Sequence, residues 1–249
     1  MIKAVILGVI QGLTEFLPVS SSGHLVIAEK FLGMHSQSIV LEVFLHMGTL
    51  LAVIVYFYRD ILRIRKDWEY LKSIGIVVLI TGVLGVLGKG FFSSLFQNPS
   101  GVMLALMING LVLLTTRHKN GTEKSISAPQ AVLIGLAQAL AIAPGISRSG
   151  STIAAMLHLK IDREEAFRFS FIMSIPLILG AFLLELKDIT SYTELALPEV
   201  AVGVVCAFVS GLIALKLLKA FLVQQKFYLF GYYCLAVGAV LLGFNQLFQ

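Results

Sequence analysis

Residues Gln11–His24 read QGLTEFLPVSSSGH, an apolar run that a proline interrupts and a cluster of serine and glycine follows. A similar pattern returns 127 residues later, where Gln138–Ser151 read QALAIAPGISRSGS. Identical pairs at this offset include Gly8 and Gly135, Gln11 and Gln138, Ser20 and Ser147, Ser22 and Ser149, and Gly23 and Gly150. The copies differ in their chemistry, because the first carries Glu15 and His24 and the second carries Arg148. A duplicated, broken apolar segment is typical of a binding site near the membrane midplane.

The composition excludes an ordinary soluble protein. Of 249 residues, 57% are hydrophobic and 13% are charged, and the mean hydropathy is +0.91, whereas soluble domains carry about 25% charged residues. We therefore predict an integral membrane protein whose residues 1–249 form a single membrane domain. The net charge of +5 does not indicate a nucleic-acid partner, because the Lys and Arg residues that produce it lie mainly in the loops between apolar segments. Gln11 and Glu15 interrupt the first apolar run, so we expect that run to be retained rather than cleaved as a signal peptide.

Six apolar segments are long enough to cross a bilayer as helices, which takes about 20 residues. They are Ser38–Tyr58, Tyr70–Gly90, Ser100–Thr116, Glu165–Leu186, Leu197–Leu218 and Phe227–Phe248. Two shorter runs, Ile2–Leu17 and Ala128–Ala143, end at prolines and precede the short runs Leu25–Phe31 and Ile153–Leu159. We predict that these pieces form two re-entrant helical hairpins, whose irregular tips must be surrounded by protein or line a wet cavity. The predicted fold class is an all-α polytopic membrane protein with ten helices.

The two halves are predicted to be inverted-topology repeats, about 1–117 and about 128–249, each with one hairpin and three spans. An odd number of spans inverts the second half relative to the first. An even number of membrane crossings separates three basic loops from one another, so all three lie on the same side. The positive-inside rule identifies that side as the cytoplasm. Their basic residues are Arg59, Arg63, Arg65, Lys66, Lys72, Arg117, Lys119, Lys124, Lys216, Lys219 and Lys226. We therefore expect both termini and the opening of the site on the outer side.

The first hairpin tip contains an acid and a histidine. Gln11 and Glu15 are four residues apart and share a helix face, and an acid inside an apolar segment is a functional candidate by default. The serines after Pro18 begin a second half-helix, whose free N–H groups they could cap and whose N-terminus favours anions. His24 titrates near neutral pH and is suited to carry a proton. The polar candidates of this tip are Gln11, Glu15, Ser20, Ser21, Ser22 and His24.

Arg148 at the second tip gives the strongest indication of a ligand. A guanidinium inside the membrane needs an anionic partner, and its planar fork matches phosphate or carboxylate oxygens. The alternative is a permanent salt bridge, with Glu15 as a possible partner. Neighbouring donors favour a ligand with several oxygens, which phosphate provides better than a carboxylate. These neighbours are Gly145, Ser147, Ser149 and Thr152.

Other polar residues in the predicted spans are interpreted as structural. Glu42 and His46 share a face near the outer end of the first span, and Glu165 with Arg168 is predicted to be a helical pair. Pro176 is predicted to kink the fourth span.

Together these residues describe a phosphate-handling site within the bilayer. Phosphoryl transfer needs positioning, neutralisation of oxygen charge, a nucleophile and a proton carrier. Arg148 and the helix N-termini supply the positive charge, and Ser21 or a water is the attacking group. Glu15 and His24 are the acid–base candidates. Because lipid surrounds the site, we predict a lipid phosphate or diphosphate as substrate.

The stretch Gln11–His24 resembles the first signature of the bacterial undecaprenyl-diphosphate phosphatases, the bacitracin-resistance protein family, and Pro144–Thr152, PGISRSGST, resembles the second. The similarity extends over essentially the whole chain. It implies a hydrolase of the bacterial plasma membrane that removes one phosphate from C55 undecaprenyl diphosphate at the outer face. This reaction recycles the carrier lipid for peptidoglycan synthesis and confers bacitracin resistance. The resemblance also implies a homodimer with a ten-helix fold and a divalent cation, Mg²⁺ or Ca²⁺.

By position, the resemblance implies four catalytic residues, with Ser21, His24 or a water as the attacking group. They are Glu15, Ser21, His24 and Arg148, while Gln11, Ser20, Ser22, Gly145, Ser147, Ser149 and Thr152 are the substrate-binding candidates. Many members have Glu where this chain has Gln11, which removes one anionic metal ligand. Glu15 is then the one strongly placed carboxylate for the cation, and water and the diphosphate would supply most of its ligands, as is common for Mg²⁺.

The competing hypothesis is a lipid-phosphate flippase or transporter. Inverted repeats with broken helices at the midplane are a transporter architecture. Such a protein would need Arg148 to bind its substrate but would tolerate loss of the attacking group. A purely structural membrane protein gives no reason to place Arg148 and Glu15 in apolar hairpins.

Overall fold

The computed structural model describes residues 1–34, 38–96, 99–189 and 197–243, and over these ranges the chain is mostly helical, which confirms the all-α class. The described residues form thirteen helices and, outside them, a single isolated β-bridge between Glu123 and Ile161. The helices are α1 (Ile2–Phe16), α2 (Ser21–Phe31), α3 (Ser38–Tyr56), α4 (Tyr58–Ile64), α5 (Trp68–Leu87), α6 (Lys89–Phe96), α7 (Pro99–Leu114), α8 (Ala128–Leu140), α9 (Arg148–His158), α10 (Arg163–Ile172), α11 (Ser174–Ile189), α12 (Leu197–Val223) and α13 (Leu229–Gly243).

Several of these helices have the length and composition of membrane spans. Within the described ranges, three segments pass on both criteria: Trp68–Leu87, Arg163–Glu185 and Leu197–Val223. A fourth passes if α3 and α4, which meet at a 70° bend, are counted as one span, and α7, α8 and α13 contain shorter apolar helices. The chain is therefore a multi-pass membrane protein. The count of six spans stays a prediction, and the predicted end of the sixth at Phe248 lies outside the described residues.

The described part of the chain has more helices than the predicted ten, because two predicted spans are followed by short helices and a third is interrupted. The first and second predicted spans continue as the short helices α4 and α6, beyond breaks at Phe57 and Gly88. The fourth breaks at Met173, between α10 and α11. Pro176 explains this last break, because proline has no N–H for the carbonyl four residues earlier and its ring clashes with that carbonyl. The predicted kink thus corresponds to a one-residue interruption at Met173, which keeps helical backbone angles (φ −67°, ψ −19°), so Arg163–Glu185 remains one span.

The first hairpin tip follows from local sequence. Leu17 has extended backbone angles (φ −65°, ψ 145°), as a residue before proline prefers, and this ends α1. Ser20 precedes α2 with φ +68°, a left-handed value that is uncommon for any residue except glycine. The tip therefore reverses the chain between Leu17 and Ser20 and aims the N-terminus of α2 at the end of α1.

The second hairpin tip uses glycine for its reversal. Gly145 has φ +94°, and a Cβ at this position would lie 2.3 Å from the carbonyl oxygen of Val102. Only glycine fits both the backbone conformation and this close approach. Ser147 then caps α9, because its Oγ accepts a hydrogen bond from the Gly150 N–H at 3.1 Å.

Each hairpin packs on a long helix from the other half of the chain. α1 packs closely on α12, and a Cβ on Gly8 would lie 2.4 Å from the carbonyl oxygen of Gly203. α8 packs on α5, where a Cβ on Gly135 would lie 3.1 Å from the Cβ of Ile80. Between the two halves, α7 packs on α13. Because each hairpin packs against the opposite half, the two tips meet in the interior.

We expect the α1–α12 contact to tolerate no added side chain at Gly12. A Cβ there would lie 2.0 Å from Ser210 Oγ and 2.4 Å from the carbonyl oxygen of Ala207. Overpacking of this kind costs roughly 1–3 kcal/mol, so Gly12→Ala should lower the thermal unfolding temperature in detergent. Gly82→Ala on α5 is the matched control, because nothing lies within 4 Å of its added Cβ, and it should leave that temperature unchanged or raise it. Equal unfolding temperatures for the two variants would contradict this packing.

Candidate active site

A small cavity lies between the two hairpin tips. Its volume is about 70 Å³, which is enough to hold ordered water. The lining combines residues from both tips with the end of α1: Thr14, Glu15, Ser20, Ser21, Ser22, Ala141, Ile146, Ser147 and Arg148. The cavity is therefore polar, although the helices that enclose it are apolar.

An ion pair between the two halves is the main electrostatic feature of this cavity. Arg148 Nη2 donates to Glu15 Oε1 at 2.6 Å, and the two side chains are 18% and 9% exposed. The other carboxylate oxygen, Oε2, accepts from Ser21 Oγ at 2.8 Å and from Gln11 Nε2 at 3.3 Å. The guanidinium carbon of Arg148 also lies 5.9 Å from the ring centre of Phe171. The predicted alternative, a salt bridge between Arg148 and Glu15, is thus present in the structure.

The Arg148 guanidinium keeps unused hydrogen-bonding capacity. Its Nη1 is buried and has no hydrogen-bond partner among the described residues. An unpaired charged donor in a low-dielectric interior is costly. An anion with several oxygens would use donors that one carboxylate leaves free.

Hydroxyl groups from both tips surround the ion pair. Ser20 Oγ lies 3.3 Å from Ser22 Oγ, and Ser147 Oγ lies 3.1 Å from Ser149 Oγ. These pairs occupy equivalent positions of the two sequence copies. The duplication therefore produces two matching hydroxyl pairs, one on each tip.

His24 does not line the cavity and instead contacts Ser20 and Tyr233. Its Nδ1 is 2.8 Å from the carbonyl oxygen of Ser20, so Nδ1 carries the proton and donates it. Its Nε2 then accepts from the Tyr233 hydroxyl at 2.8 Å, and the two rings stack at 5.8 Å and 11°. The catalytic role of His24 stays a prediction, and Tyr233 holds its second ring nitrogen in this structure.

The structure brings six of the eleven predicted site residues to the cavity and places five around it. Those in the lining are Glu15, Ser20, Ser21, Ser22, Ser147 and Arg148. Those outside it are Gln11, His24, Gly145, Ser149 and Thr152. Ser149 and Thr152 are fully buried; Ser149 donates to the carbonyl oxygen of Phe16 at 3.0 Å, and the Thr152 hydroxyl lies 2.7 Å from that of Ser170. The substrate-binding and catalytic roles of these five residues stay predictions.

Three residues near the site are absent from the sequence-based prediction of it. His46 Nε2 lies 3.7 Å from Glu15 Oε2, although His46 was interpreted as structural. Tyr233 holds His24, and Asn109 contacts both tips. A buried Asn within the apolar helix α7 was a signal that sequence analysis could have used. The helical pair of Glu165 and Arg168, by contrast, is confirmed.

The protein side chains alone do not form a metal cage. In the part of the chain that the structure describes, no group of three or more His, Cys, Asp or Glu residues could hold a metal ion. Glu15 is the carboxylate at the cavity, with His46 nearby, and Gln11 turns its amide N–H group toward Glu15. These donors fit a divalent cation only if its remaining ligands come from the substrate and water.

The fold and site define a multi-pass helical membrane protein that places an arginine, a glutamate and serine hydroxyls around one interior cavity. The chain belongs to the family of the bacitracin resistance protein BacA, whose model matches residues 4–240. It is 41% identical over 249 residues to the undecaprenyl-diphosphatase of Halothermothrix orenii, covering 96% of each chain. It is 39% identical over 266 residues to that of Methanobrevibacter smithii, again covering 96% of each. The family resemblance of the two motifs is thereby confirmed.

Proposed function

We propose that this protein hydrolyses undecaprenyl diphosphate to undecaprenyl phosphate and inorganic phosphate. The observation that carries the proposal is the Arg148–Glu15 pair, set among serine hydroxyls from both tips in a cavity enclosed by apolar helices. Relatives at 39% and 41% identity over nearly the whole chain are named undecaprenyl-diphosphatase. Such a hydrolase would recycle the carrier lipid for peptidoglycan synthesis and would confer bacitracin resistance.

Each group of the site has a distinct task in this reaction. Arg148 and the N-termini of α2 and α9 neutralise the charge on the phosphate oxygens, which is the main requirement of phosphoryl transfer. The serine hydroxyls orient those oxygens by hydrogen bonds. Glu15 accepts the proton of the attacking hydroxyl, because its Oε2 already accepts a hydrogen bond from Ser21 at 2.8 Å.

The geometry favours Ser21 over His24 as the attacking group. Ser21 lines the cavity beside Glu15, whereas His24 does not line it and both its ring nitrogens are engaged, by the Ser20 carbonyl oxygen and the Tyr233 hydroxyl. In this step the Ser21 proton passes to Glu15, Ser21 Oγ bonds to the terminal phosphorus, and the bond from that phosphorus to the bridging oxygen breaks. Undecaprenyl phosphate leaves, and water then cleaves the phosphoserine. A water activated by Glu15 is the alternative, and acid quench of a single turnover separates the two by trapping or not trapping phosphoserine.

A divalent cation, Mg²⁺ or Ca²⁺, is part of the proposal. It would neutralise diphosphate charge, and Glu15 would be the main protein ligand. Because Gln11 supplies no negative charge, we expect the cation to bind together with the diphosphate rather than before it.

The proposed topology is an inverted repeat, about 1–117 and about 128–249, with six spans and two re-entrant hairpins in one membrane domain. The packing of α1 on α12 and of α8 on α5 supports it. In such a repeat α1 corresponds to α8 and α12 corresponds to α5, so the two contacts are equivalent. We further propose location in the bacterial plasma membrane, with both termini and the site opening on the outer side, and assembly as a homodimer.

No observation favours the flippase alternative, and the names of the relatives favour the hydrolase.

The test is phosphate release from farnesyl or undecaprenyl diphosphate by purified protein in detergent. We expect release in the presence of Mg²⁺ or Ca²⁺ and its loss on addition of a chelator. Prenyl monophosphate is the matched control substrate and should release no phosphate. Well-folded protein that binds the diphosphate without releasing phosphate would contradict the hydrolase and favour a carrier.

A further inference from the structure

Asn109 on α7 joins the two hairpin tips through one buried side chain. It is 1% exposed. Its Nδ2 donates to the carbonyl oxygen of Pro18 at 2.9 Å, and its Oδ1 accepts from the N–H of Ser147 at 3.1 Å. The first partner belongs to the first tip and the second partner to the second tip. A single side chain thus spans backbone groups that are 129 residues apart in sequence.

Both partners are backbone groups that helix geometry leaves without helical partners. Pro18 lies in the break between α1 and α2, and Ser147 is the N-cap of α9, so its N–H has no acceptor within that helix. Unpaired backbone groups are costly inside a membrane. One of these groups is an acceptor and the other is a donor. A side-chain amide provides one donor and one acceptor side by side, which no hydroxyl or carboxylate does in the same geometry.

The bonded atoms lie next to the residues that face the cavity. Ser147 directly precedes Arg148, and Pro18 lies three residues after Glu15. The packing at this point is close, because a Cβ on Gly150 would lie 3.2 Å from both Asn109 Oδ1 and Pro18 Cβ. A shift of either tip relative to Asn109 therefore also shifts Arg148 relative to Glu15.

We propose that Asn109 is a positioning residue for phosphoryl transfer, which sets the spacing of the two tips so that Arg148 and Glu15 act on the same phosphate. This inference rests on the proposed function. It is distinct from the direct contacts of the site, because Asn109 does not line the cavity. A misplacement of reacting groups by about 1 Å costs on the order of 100-fold in rate, so the effect of Asn109 should appear in kcat.

The test compares Asn109→Leu, whose side chain branches at the same carbon and makes neither hydrogen bond, with Thr116→Val. Thr116 is the matched control because it is 2% exposed and follows the same helix, and its hydroxyl donates within its own turn, to the carbonyl oxygen of Leu113 at 2.6 Å. We expect Asn109→Leu to lower kcat by about 10- to 100-fold with KM changed less than about threefold. Thr116→Val should keep the wild-type kcat. Assays at temperatures well below the unfolding of both variants separate rate from stability.

A second variant keeps the test decisive if Asn109→Leu does not fold. Asn109→Asp keeps an acceptor for the Ser147 N–H but loses the donor to Pro18, so its kcat should also fall. Wild-type kcat in a folded Asn109 variant would overturn the proposal, as would an equal loss of kcat in Thr116→Val.

If the wild-type protein releases no phosphate, the proposed function fails. The positioning role is then judged by binding of a non-hydrolysable prenyl diphosphonate. We expect weaker binding in Asn109→Leu and not in Thr116→Val, and unchanged binding in both would overturn it.

Discussion

Replacement of Arg148 by alanine should abolish phosphate release while the protein stays folded. Arg148 supplies the guanidinium of the cavity, and it contacts Glu15 at 2.6 Å across the two tips. An arginine that stabilises transferred phosphate oxygens contributes about 10³- to 10⁵-fold to the rate. We therefore expect kcat to fall by at least about 10³-fold, as measured by phosphate release from farnesyl diphosphate at saturating Mg²⁺.

A matched pair of conservative variants separates charge from geometry. Arg148→Lys keeps the positive charge but loses the planar fork, so it should recover only a small part of the rate. Arg168→Lys is the control, because Arg168 also pairs with a buried glutamate, Glu165, and lies outside the cavity lining. Its kcat should remain close to that of the wild type. Normal turnover in a well-folded Arg148→Ala protein would refute the proposed site.

Glu15→Gln should have the second largest effect. The amide keeps the shape of the side chain, its one oxygen can still accept from Arg148, and the Ser21 hydroxyl can turn to accept from the new amide N–H, so the fold should persist. It has lost the charge that counters Arg148 and the basicity needed to take the proton of the attacking group. General-base catalysis contributes about 10²- to 10⁴-fold, and we expect kcat to fall by about 10³-fold or more.

Binding of the product, prenyl monophosphate, separates the role of Glu15 as the counter-charge of Arg148 from its role as the base. Arg148 donates to Glu15, so a phosphate that binds the guanidinium competes with this carboxylate. In the presence of a chelator, we expect Glu15→Gln to bind prenyl monophosphate at least as tightly as the wild type does. Glu165→Gln is the control for removal of a buried acid, since Glu165 is 3% exposed and lies outside the cavity lining. Weaker phosphate binding in Glu15→Gln without metal would mean that Glu15 holds the anion in some other way.

The hairpins were predictable because their causes are local. Pro18 forces the preceding residue into an extended conformation, and Gly145 allows a left-handed one. The short helices α4 and α6 were not predicted, although the breaks before them, at Phe57 and Gly88, lie within two residues of the predicted span ends. Neither break is marked by a proline, and charged residues follow both of them. Composition locates the end of an apolar run, but it does not tell whether the chain continues there as a second helix.

The polar candidates were predictable because charged groups inside apolar segments are expensive and seldom retained without a use. Glu15 and Arg148 were identified on this ground, and they meet in the structure. Asn109 and His46 were not identified as site residues. Their contacts with the tips join separate helices, and no spacing within the sequence encodes those contacts. Tyr233 is a similar case, because it meets His24 from the end of the chain.

The sequence by itself determined that this is a helical membrane protein with two broken, related segments, and that these segments carry an acid, an arginine and serines. Hydrophobicity, proline and glycine act over a few residues, so they can be read without a fold. Only the tertiary structure decided which of these groups share a cavity, that Glu15 already neutralises Arg148, and that Asn109 holds the tips together. The physical reason is that each hairpin packs on a helix from the other half of the chain, so the contacts between the two tips join residues that are distant in sequence.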